Sequence, residues 1–247
     1  MSKAEQISLT GLFTALVCAF TISFQLYIPA TRGYFNIGEV MVYTAALIGG
    51  PLIGGFAGGV GSMLADVLTG YAHYAPATLV IKGVEGCLVG WLCRVKLFKD
   101  PKAWRALSLS SAFFVGFLLL AIAPYYVGEA EATLGPSAIT LAGYELTLPS
   151  LTLSFALPSF IWPILAVAAF TGIAYVGLKA SPELGWTVLS VAAGGILMVI
   201  GYYLYEQLFM GVAALAEVPF NTAQFLIGLL VSVPLYKSLK RALPGLF

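Results

Sequence analysis

Apolar runs too long for a soluble domain to bury dominate this chain. Eight of them, residues 8–28, 38–50, 51–68, 77–95, 106–125, 153–178, 186–209 and 220–238, are set off by glycine, proline and charged breakers. A helix needs roughly 20 predominantly apolar residues to cross a bilayer, and most of these runs reach or approach that length. They are continuous rather than alternating with period two, so they predict helices and argue against a transmembrane β-barrel. Composition agrees: 60% of the 247 residues are apolar or aromatic and only 9% are charged, against about 25% charged in soluble domains. The expected fold class is all-α, a polytopic membrane helical bundle forming one transmembrane domain over residues 1–247. The first run has no clear A-x-A exit and reads as a retained helix rather than a cleaved signal peptide.

Several function classes drop out. A net charge of +1 offers no attraction for nucleic acid. Cys18, Cys87 and Cys93 lie in apolar runs without C-x-x-C spacing, and the single histidine, His73, cannot complete a metal set with them. They read as buried thiols, and neither metal nor cofactor is expected. No G-x-x-x-x-G-K-[ST] occurs, so the chain does not bind ATP through a phosphate loop.

The same punctuation sets the expected topology. Gly49-Gly50-Pro51 predicts a tight turn after the short second run, and Gly54, Gly55, Gly58, Gly59 and Gly61 predict close helix–helix approach in the third. If the eight runs alternate, Lys3, the basic cluster from Arg94 to Arg105, Lys179, and Lys237 to Arg241 fall on one side. The 126–152 loop on the other side has Glu129, Glu131 and Glu145 and neither lysine nor arginine. The positive-inside rule then places both termini in the cytoplasm of a multi-pass cell-membrane protein.

An ionisable group at membrane depth costs about 2.5–3.5 kcal/mol on insertion scales, so it is paired, faces a cavity, or functions. Glu39, Asp66, Lys82, Glu85 and Glu206 are such groups, and alternation of the runs gathers them in the outer half. Lys82 and Glu85 share a helix face at i and i+3. Two roles stay open: lining a polar pocket, or a structural ion network of Asp66, Lys82 and Glu85 that locks the third and fourth runs together. Asn36, Tyr71, His73, Tyr202, Asn221 and Gln224 add rings and amides suited to a small planar polar ligand. Singly, such aromatics also serve as an interfacial belt.

The stretch from "YFNIGEV" through "SMLADVL" and "IKGVEG" to "CLVGWL", residues 34–92, resembles the substrate-binding S components of energy-coupling factor (ECF) vitamin transporters, closest to the riboflavin and pyridoxine-type group. The tail, residues 201–241 with "EVPFNTAQ", is similar to the last helix pair of that family. The resemblance implies a six-helix core, here residues 1–98 and 186–241, and partners in a transmembrane T component and two cytoplasmic ATPases. In "ALVCA", Ala15 and Ala19 match the stripe that packs against the T component. The substrate-binding set would be Asn36, Glu39, Tyr71, His73, Lys82, Glu85, Tyr202, Glu206, Asn221 and Gln224. Residues 99–185 stand where the family has a short connection, as an insertion with two extra spans and an outer loop; Pro124, Pro158 and Pro163 predict kinks in those spans. The implied function is capture of a vitamin or cofactor precursor for an importer, not catalysis. The alternative is a stand-alone ion-coupled secondary transporter using Asp66, Lys82 and Glu85 as a relay, although no inverted repeat is apparent.

Overall fold

A computed structural model describes residues 2–28, 31–95, 101–125, 128–134, 138–141, 144–147, 151–179 and 181–242. Among these, seven helices are long and apolar enough to cross a membrane. They are α1 (Lys3–Ser23), α2 (Glu39–Leu68), α3 (Ala75–Leu92), α4 (Pro101–Ile122), α5 (Ile161–Lys179), α6 (Pro182–Met210) and α7 (Val218–Ala242).

The difference from eight expected spans lies in α2, which joins the second and third runs across a break. Gly50 has φ 84° and ψ −167° there, in the left-handed half of the map that favours glycine, and Pro51 opens the second arm, where its fixed φ suits a helix start. The two arms fold back on each other. A Cβ on Gly54 would meet Ala46 Cα at 2.6 Å, and one on Gly58 would meet Val42 Cγ1 at 3.0 Å; each pair is equidistant from residue 50, as a hairpin requires. The first arm, residues 39–49, rises only about 16 Å, well short of a bilayer core of roughly 30 Å. It is therefore half of a hairpin and not a span of its own.

Arg94, just past the end of α3, holds this bend. Its guanidinium donates to Ala46 O at 3.3 Å, Ile48 O at 3.1 Å and Gly90 O at 2.9 Å. These carbonyls end helices and lack helical partners, and a cation is the group their dipoles favour.

Glycine sets the spacing of the central helices. A Cβ on Gly59 would lie 2.7 Å from Leu79 O, one on Gly58 2.9 Å from Lys82 O, and one on Gly90 2.6 Å from Pro51 N. The backbones of α2 and α3 thus touch directly, as expected for small residues in a membrane interface. α1 docks on the same arm, with Gly61 against Thr14 O.

In the insertion, α4 and α5 pack on each other through Val115, Leu119, Trp162 and Ala166, and this cluster reaches Leu226 of α7. The proline expectation is corrected. Pro124 sits in the 3-10 turn after α4, Pro158 precedes α5, and Pro163 lies in its first turn. All three mark helix ends, where a missing N–H costs little, instead of kinks.

Strands occupy the outer connections of a bundle that is otherwise helical. β1 (Gln25–Ile28), β2 (Gly33–Asn36), β3 (Gly128–Leu134) and β6 (Leu151–Leu157) form an antiparallel sheet in the order β2-β1-β3-β6. A separate hairpin pairs β4 (Ala138–Leu141) with β5 (Tyr144–Thr147). β1 and β2 form a strap between α1 and α2, and the inserted loop adds its strand to that strap through Gln25 and Thr133.

Gly54→Val is expected to lower the unfolding midpoint and the monodisperse yield in detergent, because overpacking here costs about 1–3 kcal/mol or more. Gly11→Val, where a Cβ meets nothing within 4 Å, is the matched control and should leave both unchanged.

Candidate functional site

The hairpin and the glycine contacts bring the buried charges to one level. Glu39 opens the first arm of α2, about 16 Å above the bend, and Lys82 stands twelve residues before Arg94, about 18 Å up α3. Arg94 lies at the bend, so the two side chains meet at the same depth. Lys82 Nζ pairs with Glu39 Oε1 and lies 3.4 Å from Glu85 Oε2. Lys82, Glu39 and Glu85 are 3%, 1% and 0% exposed, so water screens none of these charges. Tyr43 donates its hydroxyl to Glu85 Oε1 at 2.7 Å, and Gln224 of α7 donates to Glu39 Oε1 at 3.0 Å. The ammonium also stands 5.5 Å from the Tyr202 ring centroid, within cation–π range.

Asp66 was expected in this ion network and is not in it; Glu39 takes its place. Asp66 instead accepts a 2.5 Å hydrogen bond from Tyr34 of the strap, because the long arm of α2 carries it toward β2. Burial, and then Asp66 itself, hold the Tyr34 hydroxyl well above its ordinary pKa, so it remains a proton donor to that carboxylate.

The strap is fastened to the bundle at further points, among them Thr31 O, which accepts from Tyr74 Oη at 3.2 Å. Asn36 N donates to Gln224 Oε1 at 2.9 Å, Gln25 Nε2 donates to Thr69 Oγ1 at 3.2 Å, and Thr31 donates to Glu217, immediately before α7. Gly33 passes so close to the Glu217 carboxylate that no side chain would fit. Burial pushes the Glu217 carboxyl above the ordinary carboxylate range. Beneath the strap lies a cavity of about 30 Å³, roughly the share of one water in the liquid.

Of the residues expected at the site, Asn36, Lys82, Tyr202, Asn221 and Gln224 line this cavity, and so does Asp66. Glu39 and Glu85 stand behind Lys82 as its counter-ions, and Glu206 stands behind Tyr74, whose hydroxyl is 3.4 Å away. Tyr71 and His73 lie on the rim. His73 is exposed, its carbonyl accepts from Tyr205 Oη at 2.5 Å, and its ring faces Tyr74 at 4.7 Å, while Tyr71 faces Tyr34 at 4.4 Å. The expected ten therefore divide into a lining, a buried backing and an outer rim.

The sequence reading left out Thr21, Ser62, Thr78 and Glu217, all of which line the cavity together with Tyr34 and Tyr74. Thr78 accepts from Tyr202 Oη at 3.0 Å. A signal for Glu217 was present: it opens the "EVPFNTAQ" segment that also holds Asn221 and Gln224. Its place just before the last apolar run hid its burial.

Fold and site together define a polytopic helical membrane protein that encloses a polar, tyrosine-walled cavity at one end of its bundle, under a short strand strap. Residues 1–146 match the family described as ECF-type riboflavin transporter, S component, and the chain belongs to that family of membrane transporter components. It is 53% identical over 78 residues to an uncharacterized protein of Pyrococcus woesei, covering 32% of this chain and 52% of that one. It is 29% identical over 113 residues to the thiamine precursor transporter HmpT of Lactococcus lactis subsp. cremoris, covering 45% of this chain and 63% of that one. The chain thus spans about half the length of the first relative and under two thirds of the second.

Lys82→Ala leaves two buried carboxylates facing each other without a counter-charge, which costs about 3–5 kcal/mol. The variant is expected to show a large drop in unfolding midpoint or folded yield. Lys82→Ala combined with Glu39→Gln should recover part of that loss, measured by thermal unfolding in detergent.

Proposed function

We propose that this chain is the substrate-capture subunit of an ECF-type importer for a vitamin or vitamin precursor. The observation that carries the reading is the polar cavity enclosed beneath the β1–β2 strap, at the end of the bundle opposite the α2 bend. Both ends of the described chain, and the basic residues near them, lie at the bend end. On the positive-inside rule that end is cytoplasmic, so the cavity takes its ligand from outside. Asn36, Asn221 and Gln224 supply convergent amides, Tyr34, Tyr74 and Tyr202 supply rings, and Lys82 is fixed among them.

At about 30 Å³ the cavity is far below the roughly 300 Å³ or more of a typical small-molecule pocket. The strap therefore has to lift for a ligand to enter and close over it afterwards. Release toward the cytoplasm then needs a partner that moves the whole subunit or opens the bundle. The T component and two ATPases supply that energy in this reading, and no phosphate-loop motif occurs in the chain. The docking face is the outer stripe of α1, where Ala15 and Ala19 are exposed beside Gly11; small residues there let a partner helix approach closely. Within the insertion, α4 and α5 pack beside α6 and α7, away from this stripe.

Two measurements test the proposal. Thermal-shift screening of the purified chain against vitamins and their precursors should give one strong stabiliser, and cellular uptake of that compound should require the ATPases. Uptake that persists without them would favour an ion-coupled carrier. Ala15→Trp or Ala19→Trp should abolish co-purification with the T component and leave ligand stabilisation of the isolated chain intact. Unchanged co-purification would remove α1 as the docking face.

A further inference from the structure

Carboxylates outnumber cations in the described lining of the cavity. Among the described residues Lys82 is the only lysine or arginine that lines it, and Glu39 and Glu85 already hold its ammonium. Asp66 and Glu217 line it as well, with Glu206 behind Tyr74. Among the described residues no lysine or arginine forms an ion pair with any of these three. They are 3%, 3% and 0% exposed.

Neutral groups and a neighbouring acid are the partners they have: Tyr34 donates to Asp66, Thr31 and Asn221 donate to Glu217, Glu206 and Glu217 lie within hydrogen-bonding reach of each other, and the Tyr74 hydroxyl is 3.4 Å from Glu206. Asp66 Oδ2 and Glu206 Oε2 make no hydrogen bond. A buried carboxylate oxygen without a donor is costly, and a positive charge or an N–H group placed there relieves the cost. The walls beside these oxygens are tyrosine faces, which attract cations as well.

Resting on the capture-subunit reading, we infer that the substrate is a heteroaromatic organic cation whose charged or N–H-bearing edge seats between Asp66 and Glu217, with its ring against Tyr34 and Tyr74. An anionic ligand would meet Asp66 and Glu217, the latter backed by Glu206, and a lysine already neutralised twice over. An uncharged ring could donate hydrogen bonds but would leave the carboxylate charge unbalanced. A bare metal ion could answer the carboxylates but has no use for the rings.

The test ranks ligands by charge on the full-length chain in detergent, with affinities read by calorimetry. The probes are thiamine and pyridoxamine as cations, riboflavin and pyridoxine as uncharged rings, biotin and pantothenate as anions, and sodium chloride alone. The expected result is a cationic probe binding at least tenfold tighter than any uncharged or anionic one. Asp66→Asn and Glu217→Gln should each weaken that probe tenfold or more. If either variant fails to fold, the charge ranking on the unaltered chain decides alone. Tightest binding by an uncharged or anionic probe would overturn the inference while leaving vitamin capture standing. The same stabilisation from sodium alone would also overturn it, and binding of no organic probe at all would overturn it together with the capture reading.

Discussion

One ammonium group inside the bundle organises the elements around it. Lys82 reaches Glu39 at the head of α2 and Glu85 one turn along its own helix, while Gln224 and Tyr43 hold those carboxylates from α7 and from α2. Three helices are thereby tied at one depth by groups that would each be expensive to bury alone. Such a cluster adds little net stability compared with an apolar core of the same volume. What it supplies is register: if α2, α3 or α7 slid by a turn, a charge would be left unpaired in a dry interior.

Register is useful here because the cavity is built from the same turns of the same helices. Gln224 contacts the ion cluster through its amide nitrogen and the strap through its amide oxygen. Lifting Asn36 therefore frees one end of the side chain whose other end steadies Glu39. That amide links the strap to the ion cluster. Thr31 and Gly33, closing on Glu217, form a second link of the same kind at the far side of the strap.

The helical bundle was legible in the sequence because membrane helices carry their signal locally, in run length and in the rarity of charge. The glycine seam between α2 and α3 was legible for a similar reason, since close approach leaves few residue choices. The pairing of Lys82 was legible only in part. Helical spacing joins it to Glu85, but Glu39 comes to it through the bend at Gly50, and Asp66 is turned to Tyr34 by a strap whose strands are four residues each. Glu217 eluded the reading because a carboxylate beside an apolar run looks interfacial until a loop is seen to cover it. The strap strands had no signature long enough to read: Gly33 to Asn36 shows no alternation that four residues could establish, whereas the seven-residue β6, Leu151–Leu157, was absorbed into the apolar run 153–178.

The bend at Gly50 has a consequence for biogenesis. An arm of eleven residues cannot satisfy the insertion machinery as an independent segment, since it would leave flanking peptide groups in hydrocarbon without hydrogen-bond partners. It can enter only together with the longer arm, as a preformed helical hairpin closed at Gly50. The acidic head of the first arm, Glu39, would then travel into the bilayer ahead of α3 and its Lys82. That carboxylate must spend the interval protonated, hydrated or held by a helper protein, and the arrival of α3 is what makes the hairpin permanent.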